Sequence, residues 1–193
     1  MSHELRTPLN AILGFGQLLD MNNEENLSEV QITRVEHVLR GGNHLLALVN
    51  DVLDLSRIEA GEFSVKMESL ELGPLLDEAL RLIQPLAKSN EIKIECLAPK
   101  ENHLRVQVDH TRIVQVLINL LSNAIKYNRE HGSVTISQEK IQEDRVRISI
   151  ADTGYGIPKG KQSEIFEPFS RLNIDKGTVD GVGIGLSKTQ KIN

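Results

Sequence analysis

Tryptophan is absent from this chain of 193 residues, and only two Tyr and four Phe stand beside that gap. With aromatics at 3%, any core must be filled by Leu, Ile and Val. A single cysteine, Cys96, excludes an intramolecular disulfide framework and any multi-cysteine zinc site, and fits a reducing compartment. Long apolar runs are missing too, none approaching the roughly 20 residues of a membrane span, and no signal peptide is visible. The segment is therefore expected to be soluble and cytoplasmic, with no membrane contact of its own, although a longer parent protein could still be anchored.

What is present suits a packed core. Hydrophobic residues make up 39% of the chain, and its length is enough for one large domain or two small ones. Charge is uneven. Residues 1–60 carry four Lys/Arg against nine Asp/Glu, a net of −5, whereas residues 61–193 carry eighteen of each and sum to zero. An acidic half argues against nucleic acid as a partner, because phosphate backbones attract basic patches.

Periodicity divides the chain. Residues 2–21 and about 28–60 read as helices joined by the polar link Asn22–Leu27, with Ser28 as N-cap. Ile32, Val35, Leu39, Gly42, Leu46, Val49 and Leu53 form a heptad seam on the second helix, and Leu5, Leu9, Ile12, Gly16 and Leu19 form the expected seam on the first. A short link implies an antiparallel hairpin. One hairpin buries its stripes poorly while two make a four-helix bundle, so a homodimer is expected. After Gly61 the pattern changes to a helix over 74–89, strands over 91–96 and 104–108, and a long helix from the cap Asp109 to about Asn128. Strands over 134–137 and 146–150 follow, with Gln138–Asp144 as a polar loop between them. Residues 157–182 read as a loop over a site, and a short helix starts near Gly183. The expected fold is α plus α/β: a helical hairpin over 1–62, then an α/β sandwich over 63–193 with helices on one face of a mixed sheet.

Candidate chemistry clusters in five stretches. On the first helix His3, Arg6, Asn10 and Gln17 share a face away from the Leu5/Leu9/Ile12 seam, so His3 is expected to point into solvent. A neutral imidazole, with an ordinary pKa near 6.5, is a competent nucleophile there. Glu4 is adjacent, Thr7 lies one turn on, and Pro8 removes a backbone donor, so a bend beside His3 is expected. On the long helix Asn119, Asn123 and Lys126 share one face, while Leu117, Leu120, Leu121, Ala124 and Ile125 are expected to pack on the sheet. Downstream lie Asp152-Thr153-Gly154-Tyr155-Gly156-Ile157-Pro158, Phe166-Glu167-Pro168-Phe169 and Gly181-Val182-Gly183-Ile184-Gly185-Leu186. Gly154 and Gly156 let the backbone approach a ligand, and Gly181, Gly183 and Gly185 precede a helix whose first amides can hold phosphate oxygens.

In this order the five stretches resemble the H, N, G1, F and G2 boxes of the sensor histidine kinases of two-component signalling. The resemblance covers nearly the whole chain and implies an ATP-dependent protein-histidine kinase. It makes His3 the phosphate acceptor, Glu4 its general base and Thr7 the residue that orients a water for dephosphorylation. It assigns Mg²⁺ to Asn123, with Asn119 supporting the region, phosphate to Lys126, adenine or ribose to Tyr127, and the adenine amine to Asp152. Gly154, Gly156, Ile157, Gly181, Gly183, Gly185 and Leu186 complete the ATP site. Phe166 and Phe169 anchor a lid, and Arg171 reaches the γ-phosphate. The implied partners are a second copy of the chain and a response regulator. The remaining histidines, His37, His44, His103, His110 and His131, are expected to be surface or satisfied helix residues. Val182 departs from the family's frequent Thr, and the strand pair that usually follows the last helix is expected to be missing. Two alternatives stay open. One is an ATPase of the topoisomerase or mismatch-repair class, against which the Ser2–Asn10 stretch argues, and the other is a non-catalytic dimeric scaffold.

Overall fold

The computed structural model describes residues 2–21, 27–59, 65–97, 104–142, 144–167 and 185–192, with only the backbone for some of them, His3, Glu4 and Leu5 included. Two compact units divide between Phe63 and Ser64.

The first unit is a hairpin of α1 (Ser2–Met21) and α2 (Glu29–Glu59). Pro8 lies within α1 without ending it. At the start of α2, Gln31 N donates to Ser28 Oγ (3.3 Å) while Ser28 N donates to Gln31 Oε1 (2.9 Å), a reciprocal capping box. The seam of α1 differs from the expected one. Leu9, Leu13 and Gly16 are buried, whereas Ile12 and Leu19 are exposed, as is Ile32 at the start of α2. The cause is knob-and-hole packing across the hairpin. A Cβ on Gly16 would lie 2.8 Å from Leu39 Cδ2, and one on Gly42 would lie 2.7 Å from Leu13 Cδ2. Each leucine fills the space that the opposite glycine leaves, and this selects Leu13 over Ile12 as the inward residue. Arg6 also turns inward, donating from Nη2 to Asn50 Oδ1 at 2.7 Å.

The second unit contains β1 (Glu68–Glu71), α3 (Leu72–Ser89), β2 (Lys93–Cys96), β3 (Arg105–Val108), α4 (His110–Lys126), β4 (Ser133–Gln142), β5 (Arg145–Asp152) and α5 (Gly185–Ile192). β1 pairs antiparallel with β3, and β2, β4 and β5 form a mixed sheet in which β2 runs parallel to β4 and β5 antiparallel to it. α3 contributes Leu72, Leu76, Ala79, Ile83 and Ala87 to the core, and α4 contributes Leu117, Leu121, Ala124 and Ile125, against Val134 and Ile136 of β4. Burial of each large aliphatic side chain there is worth about 1.5–3 kcal/mol. Three details correct the sequence expectation. β1 is an additional strand, and α3 starts at Leu72, ahead of Pro74. Most of Gln138–Asp144 is not loop but the outer half of a hairpin, with Glu139 paired to Arg147 and Lys140 to Val146. Within the segment from Ile157 onward, Lys159–Lys161 and Glu164–Phe166 form 3-10 turns.

Candidate functional site

α4 supplies the floor of the site. Its first turn is capped by Asp109, whose carboxylate accepts from Lys66 N (2.9 Å) and Arg112 N (3.1 Å). Those two amides, Lys66 first, hold the Asp109 carboxyl below its ordinary 3.8. The buried residues Leu117, Leu121, Ala124 and Ile125 set the rotation of the helix, which leaves Asn119, Asn123 and Lys126 half-buried on the other side. Asn119 Nδ2 donates to Thr189 Oγ1 (2.9 Å), and Thr189 Oγ1 donates to Gly185 O (3.0 Å). A Cβ on Gly185 would come within 2.1 Å of Asn119 Oδ1, so any larger residue there would displace the Asn119 amide from its bond to Thr189. Asn119, Gly185 and Leu186 are thereby brought into one neighbourhood, and the amide of Asn119 serves the helix–helix contact.

The loop after β5 meets the C-terminal end of α4. Tyr155 N donates to the Tyr127 carbonyl (3.3 Å), and Gly154 N donates to Asp152 Oδ1 (2.8 Å), which orients the exposed carboxylate. A Cβ on Gly154 would lie 2.3 Å from Tyr127 O, and Gly156 adopts φ +69°. Tyr127, Asp152 and Gly154 thus converge at one corner, with Gly156 two residues further along the loop. Behind them sits Asn128, a buried residue that the sequence motif includes without a role. Its amide is bonded to Thr153, Arg129, Ala124 and Ser133. The signal for it is an amide at the helix C-terminus opposite a Thr between Asp152 and Gly154, a match that no spacing rule reveals.

Ile157 and Phe166 are both exposed, and the Glu164–Phe166 turn packs against α5. Phe169, Arg171, Gly181 and Gly183 lie outside the described residues. His3 and Glu4 fall in the first turn of α1, their side chains also outside the described ones, while Thr7, Asn10 and Gln17 are exposed. His110 Nε2 lies 3.0 Å from Glu78 Oε2 and His131 Nδ1 3.1 Å from Glu91 Oε2. His131 belongs to a turn with φ +54°, not to a helix. Among the described residues no group of three or more His, Cys, Asp or Glu could hold a metal ion. An amide oxygen such as that of Asn123 is a hard donor of the kind a divalent cation accepts beside phosphate oxygens.

The chain is thus an antiparallel helical hairpin followed by an α/β unit with a glycine-lined corner beside an amide-bearing helix. Residues 1–61 match the family model of the His Kinase A (phospho-acceptor) domain. Residues 108–193 match that of the histidine kinase-, DNA gyrase B- and HSP90-like ATPases. The chain belongs to the histidine kinase family, as the catalytic core of a sensor kinase, and carries its ATP-binding type of domain. It is 37% identical, over its whole length, to the non-motile and phage-resistance protein of Caulobacter vibrioides and 36% identical to the circadian input-output histidine kinase CikA of Synechococcus elongatus. It spans only 23% and 26% of those two proteins. Among solved structures, full-length ShkA in complex with AMPPNP aligns over 99% of this chain and 39% of its own, with TM-score 0.79 and 33% identity. Histidine kinase ThkA in complex with response regulator TrrA aligns over 88% of this chain and 48% of its own, with TM-score 0.61 and 29% identity. Among the described residues no helix is long and apolar enough to cross a membrane.

Proposed function

We propose that the chain binds Mg-ATP, phosphorylates its own His3 and passes the phosphoryl group to an aspartate of a response regulator, and that it also acts as a phosphatase, hydrolysing the regulator's aspartyl phosphate with water. The observation that carries this reading is the union, in one chain, of a phospho-acceptor hairpin with a nucleotide-type α/β unit. An ATPase of the gyrase class has no use for such a hairpin. The AMPPNP complex of ShkA and the TrrA complex of ThkA support the choice of nucleotide and partner.

Asp152 reads the adenine amine, its carboxylate already oriented by Gly154 N. Tyr127 lies against adenine or ribose, and Lys126 and the amides of Gly181, Gly183 and Gly185 hold phosphates. Asn123 offers its amide oxygen to Mg²⁺, which when bound neutralises phosphate charge. Arg171 stabilises the charge that develops on the transferred phosphoryl group. Glu4 takes the proton of His3, and Thr7 orients the water used in dephosphorylation. Ile157, Phe166, Phe169 and Leu186 line the nucleotide. The phosphotransfer unit covers 1–62 and the ATP-binding unit 63–193, two copies join through the hairpin, and the core works in the cytoplasm without nucleic acid. Incubation with ATP labelled at the γ-phosphate tests this. Acid-labile label on the parent, absent from His3→Ala, is the expected result, and unlabelled parent protein that still binds ATP would sink it.

A further inference from the structure

Asn128 is 9% exposed, and each polar atom of its side chain is engaged. Oδ1 accepts from Thr153 Oγ1 (3.1 Å) and Arg129 N (3.0 Å), while Nδ2 donates to Ala124 O (3.0 Å) and Ser133 O (3.1 Å). Thr153 completes the circuit, its hydroxyl accepting from Ser133 N (2.9 Å) and its own amide donating to Ser133 O (3.1 Å). Space is reserved for the amide as well, because a Cβ on Gly132 would lie 2.1 Å from Asn128 Oδ1. Three elements are pinned at this point: the end of α4, the start of β4 and the end of β5.

The covalent neighbours of this lock give it a purpose. Tyr127 precedes Asn128, and Asp152 and Gly154 flank Thr153. The Tyr155 N to Tyr127 O bond closes the second side of the same corner. With Asn128 buried and Thr153 and Ser133 half-buried, a satisfied network of this kind favours one arrangement, since displacement strands the polar atoms of Asn128 away from water.

We infer that Asn128 and Thr153 are positioning residues for base recognition, holding Tyr127 and the Asp152–Gly154 loop in the one register from which Asp152 meets adenine. This rests on the proposed reading that Asp152 selects adenine, and it adds the residues that make the selection work. Neither side chain has to touch the nucleotide.

Calorimetric titration of the whole chain with Mg-ATP and with Mg-GTP tests it. Thr153→Val keeps the shape and removes the hydroxyl, Thr153→Ser restores it, and Asn128→Ala removes the other half. Thr153→Val and Asn128→Ala are expected to lower the ATP-over-GTP affinity ratio by about tenfold, the scale of leaving one buried group unsatisfied, with Thr153→Ser at the parental ratio. Loss of folded protein would reduce both nucleotides equally and leave the ratio unchanged. If Asn128→Ala does not fold, Thr153→Val decides alone. A parent that discriminates and a Thr153→Val variant that discriminates equally well would overturn the positioning role. A parent that does not prefer ATP would instead overturn the adenine reading of Asp152, and the inference with it.

Discussion

A Cβ added to Gly154 would meet the Tyr127 carbonyl at 2.3 Å, Asp152 Oδ1 at 2.8 Å and Asn128 Cα at 3.1 Å. Two of these three are backbone atoms that cannot rotate aside, so Gly154→Ala must push the β5 loop off the end of α4. The expected cost is about 1–3 kcal/mol of stability, the range for overpacking a tight contact, together with weaker ATP binding. Thermal unfolding and nucleotide titration of the variant measure both, and parental values in each would mean that the loop is not seated there. Asp109 makes a second prediction, this one in pH. Its carboxyl is depressed below 3.8, first by the Lys66 amide and then by the Arg112 amide. A depressed carboxylate lends stability that is complete above its unfolded value and is lost as pH falls through the folded one. Asp109→Asn is therefore expected to melt lower than the parent near neutrality, with the gap closing below about pH 4. A gap that stays constant across that range would show that charge plays no part in capping α4.

Among the elements, Gly41 and Gly42 of α2 are adjacent yet opposite in environment. A Cβ on Gly41 would meet nothing within 4 Å, whereas one on Gly42 would sit 2.7 Å from Leu13 Cδ2 and 3.2 Å from Leu13 Cγ. Alanine in a helix interior gains about 0.5–1 kcal/mol over glycine. Gly41→Ala should therefore raise Tm, while Gly42→Ala should lose that gain to the clash and melt below Gly41→Ala. Equal increases would mean that Leu13 does not pack on Gly42. The same contact explains what was legible in the sequence. The hairpin, its cap at Ser28 and the heptad on α2 all follow from spacing, but α1 carries apolar residues on two overlapping stripes. Spacing cannot choose between Ile12 and Leu13, and the hole at Gly42 does. β1 was illegible for another reason: Glu-Ser-Leu-Glu has no apolar alternation, and it becomes a strand only because β3 lies beside it, Glu71 opposite Arg105. The outer hairpin of β4 and β5 reads as loop because it has left the core, where ladder bonds and the Glu139–Arg147 pairing replace hydrophobic patterning. In the site, motif residues were visible individually, while the Asn128–Thr153 lock depends on donors and acceptors from three elements and leaves no periodic trace.

On the scale of the whole molecule, the hairpin leaves more apolar surface than two helices can bury. With Leu9, Leu13 and Gly16 turned inward, Ile12, Phe15 and Leu19 of α1 face outward, Phe15 at 70% exposure. On α2, Val38, Leu45 and Val52 are exposed at strict seven-residue intervals. A repeat of seven keeps one stripe on one side of a long helix, which is the pattern of a helix with a partner. Its natural occupant is the same stripe of a second copy, related by a two-fold axis. The double variant Phe15→Lys/Leu45→Lys is expected to elute and scatter light as a monomer where the parent forms a dimer. Because residues 1–60 carry a net charge of −5, the two lysines reduce that charge. Dissociation would then reflect lost apolar contact rather than added repulsion. Leu82→Lys alters an exposed leucine of α3, outside the hairpin, and should leave the dimer intact. The Tm of the parent should also rise with protein concentration, as mass action requires of a unit stabilised by its own association. A parent that stays monomeric at tens of micromolar, with Tm independent of concentration, would leave both stripes without the partner assigned to them.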